Sequence, residues 1–96
     1  MKKEAYVYIL TNSGNKVLYV GVTSDLTLRM QQHKNGFFKN SFTSRYRINK
    51  LVYYELFQNM TDAIAREKQI KAGSRQKKID LVNSRNPEWE DLMLRN

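Results

Sequence analysis

The 96-residue chain contains no cysteine, only one proline and one histidine, and four glycines. The lack of cysteine excludes disulfide bonds, cysteine-ligated zinc and thiol chemistry. No apolar run approaches the length that spans a bilayer, and the start MKKEAYVYIL is too polar and too short for a secretory signal peptide. We therefore expect a soluble, cytoplasmic protein with no membrane contact. The length predicts one domain over residues 1–96.

Acidic residues are also scarce. The chain has 9 of them against 17 lysines and arginines, which gives a net charge of +8 and a pI near 9.9. Such an excess favours a polyanionic partner, most often nucleic acid. Hydrophobic residues make up 41% and aromatic residues 11% of the chain, which is enough to build a folded core. The composition therefore indicates a small basic globular domain.

Alternating apolar residues, turn clusters and capping residues predict the order of elements. Ser24 or Thr23, Asn59 or Thr61, and Ser74 are the expected helix caps. The sequence predicts strands at 5–11 and 17–23, a helix at 23–36 ending at Gly36, a loop over 35–49, a strand at 50–57, and helices at 60–73, 74–84 and from Asn86 and Pro87 onward. This order is typical of an α/β or α+β domain on a small antiparallel sheet.

The turn cluster NSGN lies between the first two strands and predicts a hairpin. A turn centred on residues 13 and 14 would place Tyr8 opposite Tyr19 and Tyr6 opposite Gly21. Two phenols would then lie side by side on one face, next to the space left by a glycine. A longer loop or a bulge would shift this register.

Glu67 lies within the apolar arc of its helix, an arc that includes Ala63 and Ile70. Acids are rarely buried unless they are paired or bound to a metal. Two interpretations stay open. The carboxylate could form an ion pair, for example with Arg66 or Lys71, or it could bind Mg²⁺, which uses few carboxylates and fills its other positions with water and phosphate oxygens.

Arg29 and His33 lie one turn apart on the preceding helix, where Leu26, Met30 and His33 share a face. Arginine offers a planar fork for phosphate, and neutral histidine can accept or donate a proton near pH 7. The ordinary alternatives are a solvated surface arginine and a core histidine. A strand tyrosine could add a phenol, which needs nearby positive charge to act as a base.

The ordered set of these segments resembles the GIY-YIG nuclease superfamily. YVY at 6–8 and YVG at 19–21 are similar to its paired motif, and TSDLTLRMQQHK is similar to its arginine-bearing helix. The segment AIAREKQIK places Glu67 at the family's metal-binding glutamate, and KKIDL followed by NPEW resembles the small stand-alone bacterial subfamily. The chain departs from the motif at Tyr6, where a glycine is expected, and at Val22, where some members carry a lysine.

The resemblance implies a three-stranded antiparallel sheet flanked by helices, and a divalent-metal-dependent endonuclease that hydrolyses DNA phosphodiester bonds. It also implies one Mg²⁺ or Mn²⁺ ion. The implied roles are a general base at Tyr8 or Tyr19, with Tyr8 preferred, phosphate binding by Arg29, proton transfer assisted by His33, and metal binding by Glu67.

Nucleic-acid contacts are expected from the basic, aromatic loop over 37–47. Its candidate residues are Lys39, Arg45, Tyr46 and Arg47, and Gly21 would give the phosphate backbone access to the sheet face. A loop that only covers the core is the alternative.

Three functions stay open at this point. The first is a metal-dependent endonuclease, either structure-selective, in DNA repair or recombination, or nonspecific. DNA is preferred over RNA, and a small domain of this kind could bind weakly, act on a special DNA structure, or rely on a protein partner for specificity. The second is a non-catalytic nucleic-acid-binding module, and the third is an adaptor for an acidic protein. The five candidate catalytic residues together favour the enzyme, because an inward glutamate opposes phosphate binding unless it holds a metal.

Overall fold

The computed structural model describes residues 3–35 and 46–94. Within these ranges the chain forms a three-stranded antiparallel sheet in the order β2-β1-β3, three α-helices and a short 3-10 helix. The elements are β1 (Ala5–Thr11), β2 (Leu18–Thr23), α1 (Leu26–Lys34), β3 (Lys50–Phe57), α2 (Met60–Ala72), α3 (Arg75–Arg85) and the 3-10 helix (Leu92–Leu94). The predicted α+β class and antiparallel sheet are confirmed.

The alternation along β1 divides the core between the two faces of the sheet. Val7 and Ile9 face one way and pack with residues of α2 and α3, including Ile70 and Val82. The second face carries Tyr8, Leu10 and Leu51 of the sheet together with Met30 of α1 and Ile48. Full burial of each such side chain contributes about 1.5–3 kcal/mol to the free energy of folding. The central strand is therefore covered on both faces.

The hairpin register differs by two residues from the predicted one. Tyr8 lies opposite Gly21 and Tyr6 lies opposite Thr23, so the expected pairing of Tyr8 with Tyr19 is wrong. A shift of two residues keeps every side chain on its own face. Tyr8 and Tyr19 therefore remain on the same face of the sheet, as diagonal neighbours.

The loop between β1 and β2 explains the shift. It spans residues 12–17, longer than the predicted turn, because the Asn12 side chain holds its far end. The Oδ1 atom of Asn12 accepts hydrogen bonds from the backbone N–H of Lys16 at 2.8 Å and of Val17 at 3.3 Å. Asn15 takes the left-handed conformation, with φ of 57°, that this loop requires.

Helix caps follow the predictions at two of the three sites. Asn59 and Ser74 cap α2 and α3, and their side chains accept from the backbone N–H of the residue three positions later. The cap of α1 is Asp25 rather than Ser24 or Thr23, and its Oδ1 accepts from the Leu28 N–H at 3.0 Å. The expected stop at Gly36 lies outside the described residues.

The expected helix starting at Asn86 and Pro87 is wrong. A turn follows α3 instead, with Trp89 at a φ of 53°. Buried Asn86 holds this turn by donating to the carbonyls of Val52 at 3.0 Å and Glu90 at 2.9 Å. These bonds fix the segment against β3, so only the 3-10 helix forms. None of the helices in residues 3–35 and 46–94 is long and apolar enough to cross a membrane.

Candidate active site

Helix α1 brings Arg29 and His33 to the sheet. Its buried side chains are Met30 and His33, as the shared face predicts. Arg29 borders this face, half-buried, and its Nη1 donates to the Tyr8 hydroxyl at 3.4 Å. The helix therefore places a cation directly on a strand phenol.

Tyr8 and Gly21 form a matched pair across β1 and β2. A Cβ atom built on Gly21 would lie 2.9 Å from Cε1 of Tyr8 and closer still to Cζ and the hydroxyl oxygen. The phenol therefore lies across the glycine, in the space that a side chain would fill. We expected Gly21 to leave an opening for a phosphate, and this expectation is corrected, because the Tyr8 ring occupies the space.

His33 lies against both phenols. The centroid of its ring is 6.2 Å from that of Tyr8 and 6.0 Å from that of Tyr19, with interplanar angles near 65° in both cases. The two tyrosine rings are themselves 6.4 Å apart. Tyr8, Tyr19, Arg29 and His33 thus form one contiguous cluster on the second face of the sheet, as the sequence predicts.

Burial dominates the protonation of this cluster. Tyr8 is fully buried, and burial raises the pKa of its hydroxyl to about 12, although the Arg29 charge acts in the opposite direction. Burial also lowers the pKa of His33 to about 4, and the charge of Arg29 lowers it further in the same sense. At neutral pH the phenol is protonated and the imidazole is neutral.

Glu67 is largely buried on α2. Its side chain is only 15% exposed, and its Oε2 lies 3.2 Å from Nζ of Lys71. Of the ion-pair partners considered from sequence, Lys71 is therefore the one observed. The negative charge of Glu67 is among the causes that raise the pKa of Tyr8. The carboxylate is thus within electrostatic range of the buried phenol.

Glu67 is the candidate metal ligand among the acidic side chains of the site. Within the described part of the chain, no group of three or more histidine, aspartate or glutamate side chains is arranged to hold an ion. Glu67 supplies a single hard carboxylate. Such a site fits Mg²⁺, which keeps most of its ligands as water or substrate phosphate oxygens, and it does not fit a zinc cage.

Of the loop residues predicted to bind nucleic acid, Tyr46 and Arg47 lie within the described part of the chain. Lys39 and Arg45 lie outside the described residues. Tyr46, 49% exposed, and Arg47, with a φ of 53°, lie at a turn before β3.

A second polar cluster, on the opposite face of the sheet, was missed from the sequence. Glu55 accepts from Nε of Arg66 at 3.0 Å and from Nη2 at 3.0 Å, and it also accepts from the Tyr53 hydroxyl. Burial alone would raise the pKa of Glu55, but hydrogen bonds from Arg66 and Tyr53 hold it below its usual range. The available signal was an acid alternating with apolar residues in a strand.

A known protein family matches most of this chain. A family model described as the GIY-YIG catalytic domain matches residues 4–80. The chain belongs to the GIY-YIG family. It therefore carries the catalytic domain of a nuclease family, whose members act on nucleic acids, and the resemblance found in the sequence is confirmed.

The relatives of this GIY-YIG chain are small proteins of similar length. A UPF0213 protein of Syntrophus aciditrophicus is 40% identical over 86% of this chain and 93% of its own. A UPF0213 protein of Clostridium perfringens is 37% identical over 90% of each chain. The solution NMR structure of a UPF0213 protein from Bacillus halodurans has a TM-score of 0.58 and 29% identity, covering 93% of both chains. The GIY-YIG fold and the small subfamily are thereby both supported.

Proposed function

We propose that this protein is a divalent-metal-dependent endonuclease that hydrolyses phosphodiester bonds of DNA. The observation that carries the proposal is the convergence of Arg29, Tyr8, Tyr19 and His33 on one face, with the Glu67 carboxylate in electrostatic range. A purely structural cluster would not need a largely buried glutamate whose charge acts on the buried phenol. The net charge of +8 suits a polyanionic substrate.

Arg29 is the group that would bind the scissile phosphate. Its guanidinium has five donors, and one of them already bonds to the Tyr8 hydroxyl, which fixes the direction of the planar fork. Donors that are oriented before the reaction stabilise developing negative charge without further reorganisation. Arg29 therefore acts as a preorganised clamp for phosphate.

The protonation states assign different tasks to the two phenols. Without a metal ion, burial raises the pKa of Tyr8 to about 12, which favours Tyr8 as a hydrogen-bond donor and Tyr19 as the base. Tyr19 is the more exposed of the two, so water and phosphate can reach it. Burial is the main cause that lowers the pKa of His33 to about 4, and a bound phosphate would offset the smaller cause, the Arg29 charge. Tyr19 and His33 are therefore assigned the proton-accepting path.

Glu67 is the residue that would hold Mg²⁺ or Mn²⁺. Lys71, its partner, is 53% exposed at the side chain and can turn to solvent without burying a charge. A bound ion polarises the phosphate and stabilises the departing oxygen. The ion held by Glu67 and the guanidinium of Arg29 would then supply positive charge to the phosphate from the sides of α2 and α1.

The burial of Tyr8 and His33 favours one rival. A non-catalytic nucleic-acid-binding module would use both residues for packing alone, and His33 is only 9% exposed. The two functions differ in what Glu67 does. An enzyme requires its carboxylate, whereas a binding module gains affinity for phosphate when that negative charge is removed.

The test is cleavage of supercoiled plasmid and of branched, flapped and single-stranded DNA with Mg²⁺ or Mn²⁺. We expect Glu67→Gln to abolish cleavage while circular dichroism and DNA binding without metal are kept or binding improves. Glu88→Gln, which removes the same charge at an exposed site, is the matched control and should cleave normally. Tight, salt-dependent binding by the wild type with no cleavage of any substrate would establish the binding module instead.

The proposal extends to the biological setting. The lack of cysteine suits a reducing compartment such as the cytoplasm, and a small catalytic domain of this kind fits structure-selective cleavage in repair or recombination. A partner protein would then supply further specificity. Preferential cleavage of branched or flapped DNA over linear duplex is the expected result, and equal cleavage of all forms would argue against this role.

A further inference from the structure

A groove of about 470 Å³ lies next to the candidate active site, on the same face of the sheet. Its walls include Tyr6, Tyr54 and Leu56 of the sheet and Met93 of the C-terminal segment. Tyr6 is two residues before Tyr8 on β1, about 6.6 Å away along the strand. The groove therefore lies one position along the same face of β1 from the phenol that Arg29 contacts.

The groove is an aromatic platform rather than part of the core. Tyr54 is 42% exposed and Leu56 is 54% exposed, although both are large apolar residues. The rings of Tyr6 and Tyr54 meet edge to face with centroids 6.3 Å apart. Strand pairing places Leu56 opposite Tyr6 and Tyr54 opposite Tyr8. A flat apolar surface thus extends outward from the site.

The charges at the groove exclude a phosphate as its occupant. No lysine or arginine lines it within the described residues, and its one charged wall residue is Asp25. That carboxylate caps α1 and would repel a phosphate. Ser24 and Thr27 add hydroxyls that can bond to the polar edge of a flat ring. The chemistry is that of a nucleobase site placed beside a phosphate site.

We propose that the groove of Tyr6 and Tyr54 binds an unpaired nucleobase next to the scissile phosphate. The substrate must then carry a single-stranded segment at the cleavage point, because a paired base would have to leave its stack first. Base stacking on aromatic side chains is tolerant of sequence, so the site selects structure rather than sequence. This inference rests on the proposed function and names the substrate class for it.

Binding without divalent metal tests the proposal independently of cleavage. Fluorescence anisotropy would compare a single-stranded oligonucleotide, its full duplex, and the same strand with abasic nucleotides. Tyr54→Ala should weaken binding to the single strand by about 5- to 150-fold, the range for loss of one stacked base. Tyr54→Phe keeps the ring and should bind as the wild type does. Leu94→Ala, at a residue that is 77% exposed, is the matched control for loss of surface apolar area.

The abasic strand completes a double-mutant cycle. Tyr54→Ala should have little further effect when the base is already missing, and little effect on the duplex. Equal losses on the single strand, the abasic strand and the duplex would overturn the base site while leaving the nuclease proposal intact. A change from dimer to monomer in Tyr54→Ala with no effect on binding would likewise overturn it, in favour of self-association. A wild type that binds no nucleic acid would refute both.

Discussion

Replacing Gly21 by alanine is the most direct test of how the candidate site is built. The new Cβ would lie 2.9 Å from Cε1 of Tyr8 and closer to Cζ and the hydroxyl, inside van der Waals contact. Tyr8 cannot move aside easily, because its ring is fully buried and contacts Tyr19 and His33. The substitution must therefore displace a stiff, enclosed side chain.

Two opposing effects set the magnitude. Alanine is favoured over glycine inside a strand by about 0.5–1 kcal/mol, because glycine loses more backbone entropy on folding. Overpacking of an enclosed site costs about 1–3 kcal/mol. We expect the steric cost to win and the free energy of unfolding to fall by about 1–2 kcal/mol. With a urea dependence of about 1.5 kcal/mol per molar, the midpoint should fall by about 1 M.

Urea unfolding followed by circular dichroism measures this change. Gly14→Ala is the matched control, because the nearest atom to its Cβ is Cγ of Lys16 at 3.8 Å. It should be neutral or slightly stabilising. In a Tyr8→Leu background the ring is gone, so Gly21→Ala should become neutral or stabilising, with a coupling of at least about 1 kcal/mol. An equal cost of Gly21→Ala in both backgrounds would refute the steric argument.

Three further perturbations test other parts of the structure. Asn86→Ala should cost about 1–3 kcal/mol, since it leaves a buried carbonyl of β3 unpaired, and urea unfolding would show it. The free energy of unfolding should fall by at most about 1.4 kcal/mol per pH unit as pH drops from 6.5 toward 4, because His33 binds a proton in the unfolded chain but, with a pKa of about 4, not in the folded one. His33→Gln should flatten this slope, and an unchanged slope would contradict the burial of His33. Glu55→Gln should cost about 1–3 kcal/mol, measured in the same way, by weakening the charged fork to Arg66.

The strands were predictable because their local signals agree. Residues 5–11 and 50–57 are rich in the β-branched and aromatic residues that favour strands, and the observed bounds of β1 and β3 match the predicted ones. The hairpin register was not predictable in the same way. It depends on one side chain, Asn12, which bonds to the backbone at the other end of its loop. A sequence pattern shows that an asparagine favours turns but does not show which N–H groups it will reach.

The candidate site was likewise predictable only in part. Helical spacing was enough to place Arg29 one turn from His33 on α1 and to turn Glu67 inward on α2. Each of these features depends only on the spacing of residues within a single helix. The occupation of the Gly21 space depends on the pairing of two strands and on a ring that crosses between them. Glycine within a strand signals a close approach, but the approaching group lies elsewhere in the chain.

The polar cluster on the opposite face explains how α2 can present Glu67 at a fixed angle. Arg66 and Glu67 are neighbours on α2, so their side chains leave the helix about 100° apart. The two guanidinium nitrogens of Arg66 that bond to Glu55 at 3.0 Å form a charge-assisted fork, which fixes the helix against β3 more firmly than a single contact would. We propose that Glu55 and Arg66 act as positioning residues for Glu67. If Glu67 holds a metal ion as proposed, a Glu55→Gln variant that still folds should lose metal affinity as well as stability.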